Sequence, residues 1–105
     1  MASVFPVYLL TDVTGGGAGA SFEAYMEDRT FQGLGSTTSG VGTAVIVVQG
    51  SNDNVNFITL GTITLTLGTA VTSDGFASDA RWNYVRGNVT SITGTGAKAS
   101  LIMGY

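Results

Sequence analysis

Apolar and polar residues alternate along much of this chain with the period of a strand rather than of a helix. The clearest case is 62–67, where Ile63, Leu65 and Leu67 interleave strictly with Thr62, Thr64 and Thr66. Just upstream, in 57–60 (FITL), the aliphatic residues Ile58 and Leu60 are even-numbered, so the phase inverts at Gly61. A glycine at a phase change predicts a bulge or a sheet corner. Residues 43–49 (TAVIVVQ) form a near-continuous β-branched run, the pattern of a strand covered on both faces. Between these two segments, 51–56 (SNDNVN) has turn composition and predicts a hairpin.

The rest of the chain reads in the same way. Segment 4–10 (VFPVYLL) is apolar, but Pro6 cannot donate to a ladder, which places it at a sheet edge or in an N-terminal arm. Segment 11–20 (TDVTGGGAGA) is a glycine-rich connector. Residues 21–26 (SFEAYM) fit either a strand or one helical turn. Residues 29–34 (RTFQGL) predict a short strand followed by a loop over 35–42, and Phe76 stands alone in a polar loop. Segment 82–89 (WNYVRGNV) predicts a strand with Trp82, Tyr84 and Arg86 on one face and Val85 and Val89 on the other. Residues 91–96 (SITGTG) predict a turn, and 97–103 (AKASLIM) a last strand. The reading is an all-β chain: a single β-sandwich or jelly roll of about eight strands over residues 21–105. Residues 1–20 precede it as an extended arm and connector.

Composition narrows the function classes. Of 105 residues only 10 % are charged, with four basic and seven acidic side chains and a net charge of −3, against about 25 % charged in typical soluble domains. The polar surface comes instead from threonine, serine and 16 glycines. No basic cluster is present to neutralise phosphates, so nucleic acid is not an expected partner. No basic amphipathic helix points to a membrane surface, and the longest compact apolar run, 44–48, is far short of a span. No Lys or Arg precedes Arg29, so the basic region of a secretory signal is missing.

The chemistry-bearing residue types are sparse. There is no histidine and no cysteine, which removes the Ser-His and Cys-His pairs, thiolate metal sites and disulfides together. Glu23 with Glu27, and Asp74 with Asp79, are the carboxylate pairs on offer; their spacing fits solvated acids on turns and edges, and no enzyme is expected. The 51–56 turn supplies oxygen ligands but only one carboxylate, Asp53, so its Asx residues are expected to bond their own backbone rather than calcium. Residues 15–20 (GGGAGA) fit a G-x-G-x-x-A pattern, yet a dinucleotide site needs a helix to follow and here a β pattern does. No cofactor or metal is therefore expected. Asn88-Val89-Thr90 is a glycosylation sequon without a secretory context. Trp82, Tyr84 and Arg86 would form either core packing or an exposed carbohydrate platform.

Two stretches carry a resemblance. Residues 48–69 (VQGSNDNVNFITLGTITLTLGT) and 74–104 (DGFASDARWNYVRGNVTSITGTGAKASLIMG) resemble a group of small tailed-bacteriophage virion proteins. The shared features are a GSND-G-N-aromatic-LGT hairpin, a Trp-Lys/Asn-Tyr-Val-Arg strand and a TSITGTGA turn, and the likeness covers about half the chain. Asn54 stands where glycine is usual, a departure expected to alter the turn conformation but not the pattern. The hairpin and the YVR strand are also similar to discoidin-type jelly rolls, whose end loops bind sugar or lipid; this chain is shorter and lacks their terminal cysteines.

The resemblance implies a non-enzymatic virion subunit, most simply a capsid decoration (cement) protein on the capsid surface, made in the bacterial host cytoplasm. Its partners would be the major capsid protein or other virion subunits, together with further copies of itself. Val4, Phe5, Pro6 and Tyr8 are the expected contact residues. The alternatives are a tail or neck component and a carbohydrate- or host-receptor-binding module using Trp82, Tyr84 and Arg86.

Overall fold

The structure, a computed structural model, describes residues 7–23, 29–78 and 82–104. Those residues contain nine strands: β1 (Val7–Val13), β2 (Gly17–Ala18), β3 (Phe22–Glu23), β4 (Arg29–Ser36), β5 (Ser39–Ser51), β6 (Ile58–Leu67), β7 (Thr72–Ser78), β8 (Tyr84–Thr95) and β9 (Lys98–Gly104). One sheet has the order β1-β9-β4-β7; the other has β2-β8-β5-β6, with β3 also on β8. Every ladder is antiparallel.

The topology follows from one long folded-back hairpin. Its tip is β5–β6, and moving outward from the tip the chain pairs β4 with β7, β2 and β3 with β8, and finally β1 with β9. Rolling that ribbon into two layers adds the β4–β9 and β5–β8 ladders. The result is an eight-position jelly roll in which one position is split between two short strands. The all-β sandwich read from the sequence is the observed architecture.

Alternation places the core. Ala44, Ile46 and Val48 of β5, Ile63, Leu65 and Leu67 of β6, and Val85 and Val89 of β8 face inward from one sheet. They meet Leu9, Leu10, Phe31, Ala99, Leu101 and Met103 from the other. Consecutive Leu9 and Leu10 both reach the core because the β1–β9 register shifts between Tyr8 and Leu10. A bulge is the local device that turns neighbours to the same side.

The phase change at Gly61 is such a bulge. Val48 pairs with Gly61 and Gln49 with Thr59, leaving Leu60 as the extra residue. A β-carbon on Gly61 would strike the ring of Phe76. Phe76 belongs to β7 rather than to a loop, and its ring centroid lies 5.3 Å from that of Phe31. One bulky ring thus fills the space that a missing side chain leaves open across the sandwich.

Other boundaries differ from the sequence reading, each for a physical reason. The expected 35–42 loop shrinks to Thr37-Thr38, because Gly33 and Gly35 face the core, where a β-carbon on Gly35 would lie 2.7 Å from Leu67. The expected 91–96 turn is strand as far as Thr95; its polar residues face solvent, and the turn is closed by the Ala97 N–H donating to the Gly94 carbonyl at 3.3 Å. The 43–49 run is covered on one face only, since Val45 and Val47 remain half-exposed on the outside of their sheet. Within the glycine-rich connector, Gly17–Ala18 forms a strand on β8.

Of the two placements read for segment 4–10, a sheet edge or an arm, its described part takes the sheet edge. Residues 7–13 are an edge strand of the first sheet, with two leucines in the core; residues 1–6 of the expected arm lie outside the described residues. An appended arm would tolerate truncation of its side chains, whereas a core strand does not. Leu10→Ala is expected to lower unfolding stability by about 2–5 kcal/mol, measured by urea denaturation. A loss below about 1 kcal/mol would show that the strand is only loosely laid on the sandwich.

Candidate functional site

The outer face of the β5–β6–β8 sheet is built from side chains opposite in phase to the core. Thr43, Val45, Val47 and Gln49 project from β5, with Thr62, Thr64 and Thr66 beside them on β6. On β8 the outward residues are Tyr84, Arg86, Asn88, Ser91 and Thr93. The Thr43 and Thr93 hydroxyls lie 2.9 Å apart across the ladder, and such pairs stiffen a sheet face. Across all three strands the single charged residue is Arg86.

Arg86 is held in place from two sides. Its Nε donates to Gln49 Oε1 at 2.8 Å, and its guanidinium carbon sits 3.8 Å from the centre of the Phe57 ring. Gln49 and Arg86 are direct cross-strand partners, and Phe57 closes the hairpin turn beside them. A guanidinium stacked on an aromatic ring and fixed at Nε loses little rotamer freedom when a planar acceptor approaches its outer nitrogens. Tyr84, two residues away on the same face, is half-buried.

Trp82 does not share that face. It precedes β8, and its ring lies on the core side of Gly50, where a β-carbon would come within 2.7 Å of it. Gly50 pairs with fully buried Val85, so Trp82 closes one end of the core. Its carbonyl accepts from Arg29 Nη2 at 3.3 Å. Arg29 is itself buried, and that desolvation lowers its pKa. The three residues, grouped from the sequence as either core packing or a platform, are divided: Tyr84 and Arg86 lie outside, and Trp82 lies against the core.

The turn next to Arg86 is bonded to itself. The Ser51 hydroxyl donates to Asp53 Oδ1 at 2.8 Å, and the same carboxylate oxygen accepts from the backbone of Val55 and Asn56 at 2.9 and 2.8 Å. Asp53 Oδ2 accepts from the Asn56 side chain at 2.9 Å. These donors, led by the Asn56 and Val55 amides, hold the Asp53 carboxyl well below the usual carboxylate range. Among the described residues no group of three or more His, Cys, Asp or Glu converges on a point. Asn54 has φ 60°, the left-handed conformation to which glycine is suited. Asparagine is among the few residues that tolerate that region, and the Asn54 N–H donates to the Ser51 hydroxyl at 3.0 Å within the turn.

Of the expected contact residues, Val4, Phe5 and Pro6 lie outside the described residues. Tyr8 is 57 % exposed on the outer face of the other sheet. It lines a groove of about 370 Å³ shared with Asp12, Leu34, Val71, Lys98 and Ser100. Asp12 takes a positive φ of 46° there, and its N–H donates to the Ser100 hydroxyl at 2.9 Å. Sequence reasoning missed this groove because its walls come from several strands and a connection, no two of which share a motif. The exposed Tyr8 was the one legible signal.

The fold and these surfaces define a jelly-roll β-sandwich with a weakly charged outer face. Compared with known proteins, the chain matches no protein-family model, no curated protein and no solved structure.

Two outcomes test the turn. Asn54→Gly should leave stability unchanged or slightly raised, whereas Asn54→Val should cost about 1–2 kcal/mol by forcing a β-branched residue to positive φ. Because Asp53 is depressed in the folded state, the stability it contributes is in place above its ordinary value of 3.8 and is lost as the pH falls below it. Asp53→Asn should therefore flatten the acid limb of a stability-against-pH curve measured by denaturant unfolding. An unchanged acid limb would contradict the hydrogen-bonded turn.

Proposed function

We propose that this protein is a non-enzymatic structural subunit of a phage virion, acting as a capsid decoration protein that binds neighbouring shell subunits through protein–protein contacts. The observation that carries the reading is the β5–β6–β8 outer face: mostly threonine with valine and neutral polar residues, and one pre-oriented arginine. A face of this kind has little charge to desolvate and offers backbone-scale relief, β-branched apolar patches and hydroxyls to a protein surface. Arg86, fixed by Gln49 and Phe57, is the natural anchor for a partner carboxylate or carbonyl, since arginine is enriched among residues that dominate binding energy.

Three further points support it. The 48–69 and 74–104 stretches that resemble small virion proteins contribute β6, β7, β8 and β9 and the turn that holds Arg86. Jelly rolls serve repeatedly in viral shells, although they also serve as lectins and cupins, so the fold alone supplies analogy only. A subunit that binds the assembled shell and not its separate parts stabilises the assembly by mass action, which requires no chemistry from the bound chain.

The alternative is a glycan-binding module, and one observation favours it: the Tyr8 groove combines an exposed aromatic ring with Asp12, Lys98 and Ser100. It would use that groove rather than Trp82, Tyr84 and Arg86 together.

Co-sedimentation with empty, expanded shells assembled from a tailed-phage major capsid protein, taken from a phage whose genome carries this chain, distinguishes the readings. Binding should saturate at a fixed copy number per shell and change little with salt, because nearly all of the face is uncharged. Arg86→Ala should weaken it by about 1–3 kcal/mol, or roughly 5–150-fold. No shell binding together with glycan-array binding that Tyr8→Ala abolishes would overturn the proposal.

A further inference from the structure

Among the described residues the two open sheets have four edges, and three of them are blunted. Strand β1 shifts register twice against β9 and carries Asp12 at positive φ. The edge beyond β8 consists of two pieces of two residues each, β2 and β3. Strand β7 pairs with β4 without interruption but presents exposed Asp74 near its middle. Short strands, bulges and charges are the devices that keep sheet edges from pairing with other chains.

Strand β6 has none of these beyond Leu60. From Gly61 to Leu67 it pairs with β5 residue for residue, so its far side is a regular seven-residue edge; at its end the Thr66 carbonyl already accepts from the Thr72 hydroxyl at 3.2 Å, which leaves that oxygen one further lone pair for a strand partner. No charged residue occurs on it, and the nearest in sequence, Asp53 and Asp74, fall outside the strand. Thr62, Thr64 and Thr66 are exposed along it, on a backbone stiffened by β-branched residues. Three of the exposed large apolar side chains belong to this hairpin: Val55 and Ile58 near the start of β6, and Val41 beside its end. An uncovered edge of this composition would be an aggregation site, and the stretch is self-complementary.

We propose that β6 pairs antiparallel with β6 of a second copy, joining two outer faces into one continuous sheet across a two-fold axis near Thr64. Antiparallel pairing about that point sets Thr62 against the partner's Thr66 and Thr64 against its own copy. Threonine pairs across a ladder are favourable, and no like charges meet. It also brings the Val55–Ile58 end of one chain toward the Val41 end of the other. An isologous contact of this kind closes on itself and stops at two copies, in contrast to an open-ended strand stack. The inference does not rest on the virion reading; it needs only the edge.

The tests use the whole chain. Light scattering behind gel filtration should give a species of twice the 10.7 kDa chain mass, dissociating on dilution. Thr64→Lys opposes two ammonium groups at the axis and should weaken dimerisation at least ~10-fold, with circular dichroism and melting temperature of the monomer unchanged because the side chain is exposed. The chain is free of cysteine, so Thr64→Cys should form a disulfide-linked dimer under mild oxidation while Thr93→Cys, on the same face but off the edge, should not. A wild-type chain that stays monomeric up to millimolar concentration overturns the proposal. So does a Thr64→Lys protein that dimerises as tightly as wild type, or equal cross-linking at both cysteines.

Discussion

The structure depends on the phase relation between its ladders: each antiparallel pairing sets inward residues against inward ones, and a single-residue slip would turn a strand inside out. Val48 beside Gly87, Ile46 beside Ile63 and Leu101 beside Gly33 keep that phase across both sheets. Where the chain must break phase, it does so with a bulge and a compensating neighbour. Leu60 is the extra residue opposite β5, and Phe76 fills the space over Gly61. The shift between Tyr8 and Leu10 brings two consecutive leucines under the sandwich. Because the rolled ribbon pairs its first strand with its last, these local solutions are tied together, and β1 closes a structure that it would otherwise merely border.

The outer face follows from the same phase. Fixing Ala44, Ile46 and Val48 inward leaves Thr43, Val45, Val47 and Gln49 outward, and β6 and β8 extend that surface with threonine, asparagine and serine. Gln49 and Arg86 meet because they are register partners, and Phe57 reaches Arg86 because the 52–57 turn folds back beside them. The pre-oriented arginine on a nearly uncharged face is thus a consequence of core register combined with a self-bonded turn. Its chemistry suits adhesion to another protein, which is the premise of the function proposed above.

Much of this was legible in the sequence where a strand has one wet and one dry face. The Thr62–Leu67 alternation, the Gly61 phase change and the hairpin tip at Asp53 all carried their own signal. Legibility failed where burial came from the opposite layer. Phe76 sits among polar residues and looks like loop until Phe31 and Gly61 meet it. Gly33 and Gly35 resemble turn residues but make room for Ile63 and Leu67. The polar run 90–95 reads as a turn because both its composition and its exposure are those of a surface, although its backbone is paired. Trp82 could not be assigned by counting from Tyr84, since the alternation that counting assumes begins only at Tyr84 itself. The groove beside Tyr8, gathered from several strands, had no local pattern to betray it.

The central physical claim is that the terminal strands close the sandwich as part of one cooperative unit. Native-state hydrogen exchange of the intact chain addresses it most directly, because amides that open only on global unfolding share one free energy. The account predicts that hydrogen-bonded amides of β1 and β9 exchange with the same opening free energy and the same denaturant dependence as those of the central β5 and β8. Exchange of β1 through a separate low-energy opening, with β5 and β8 still fully protected, would contradict it.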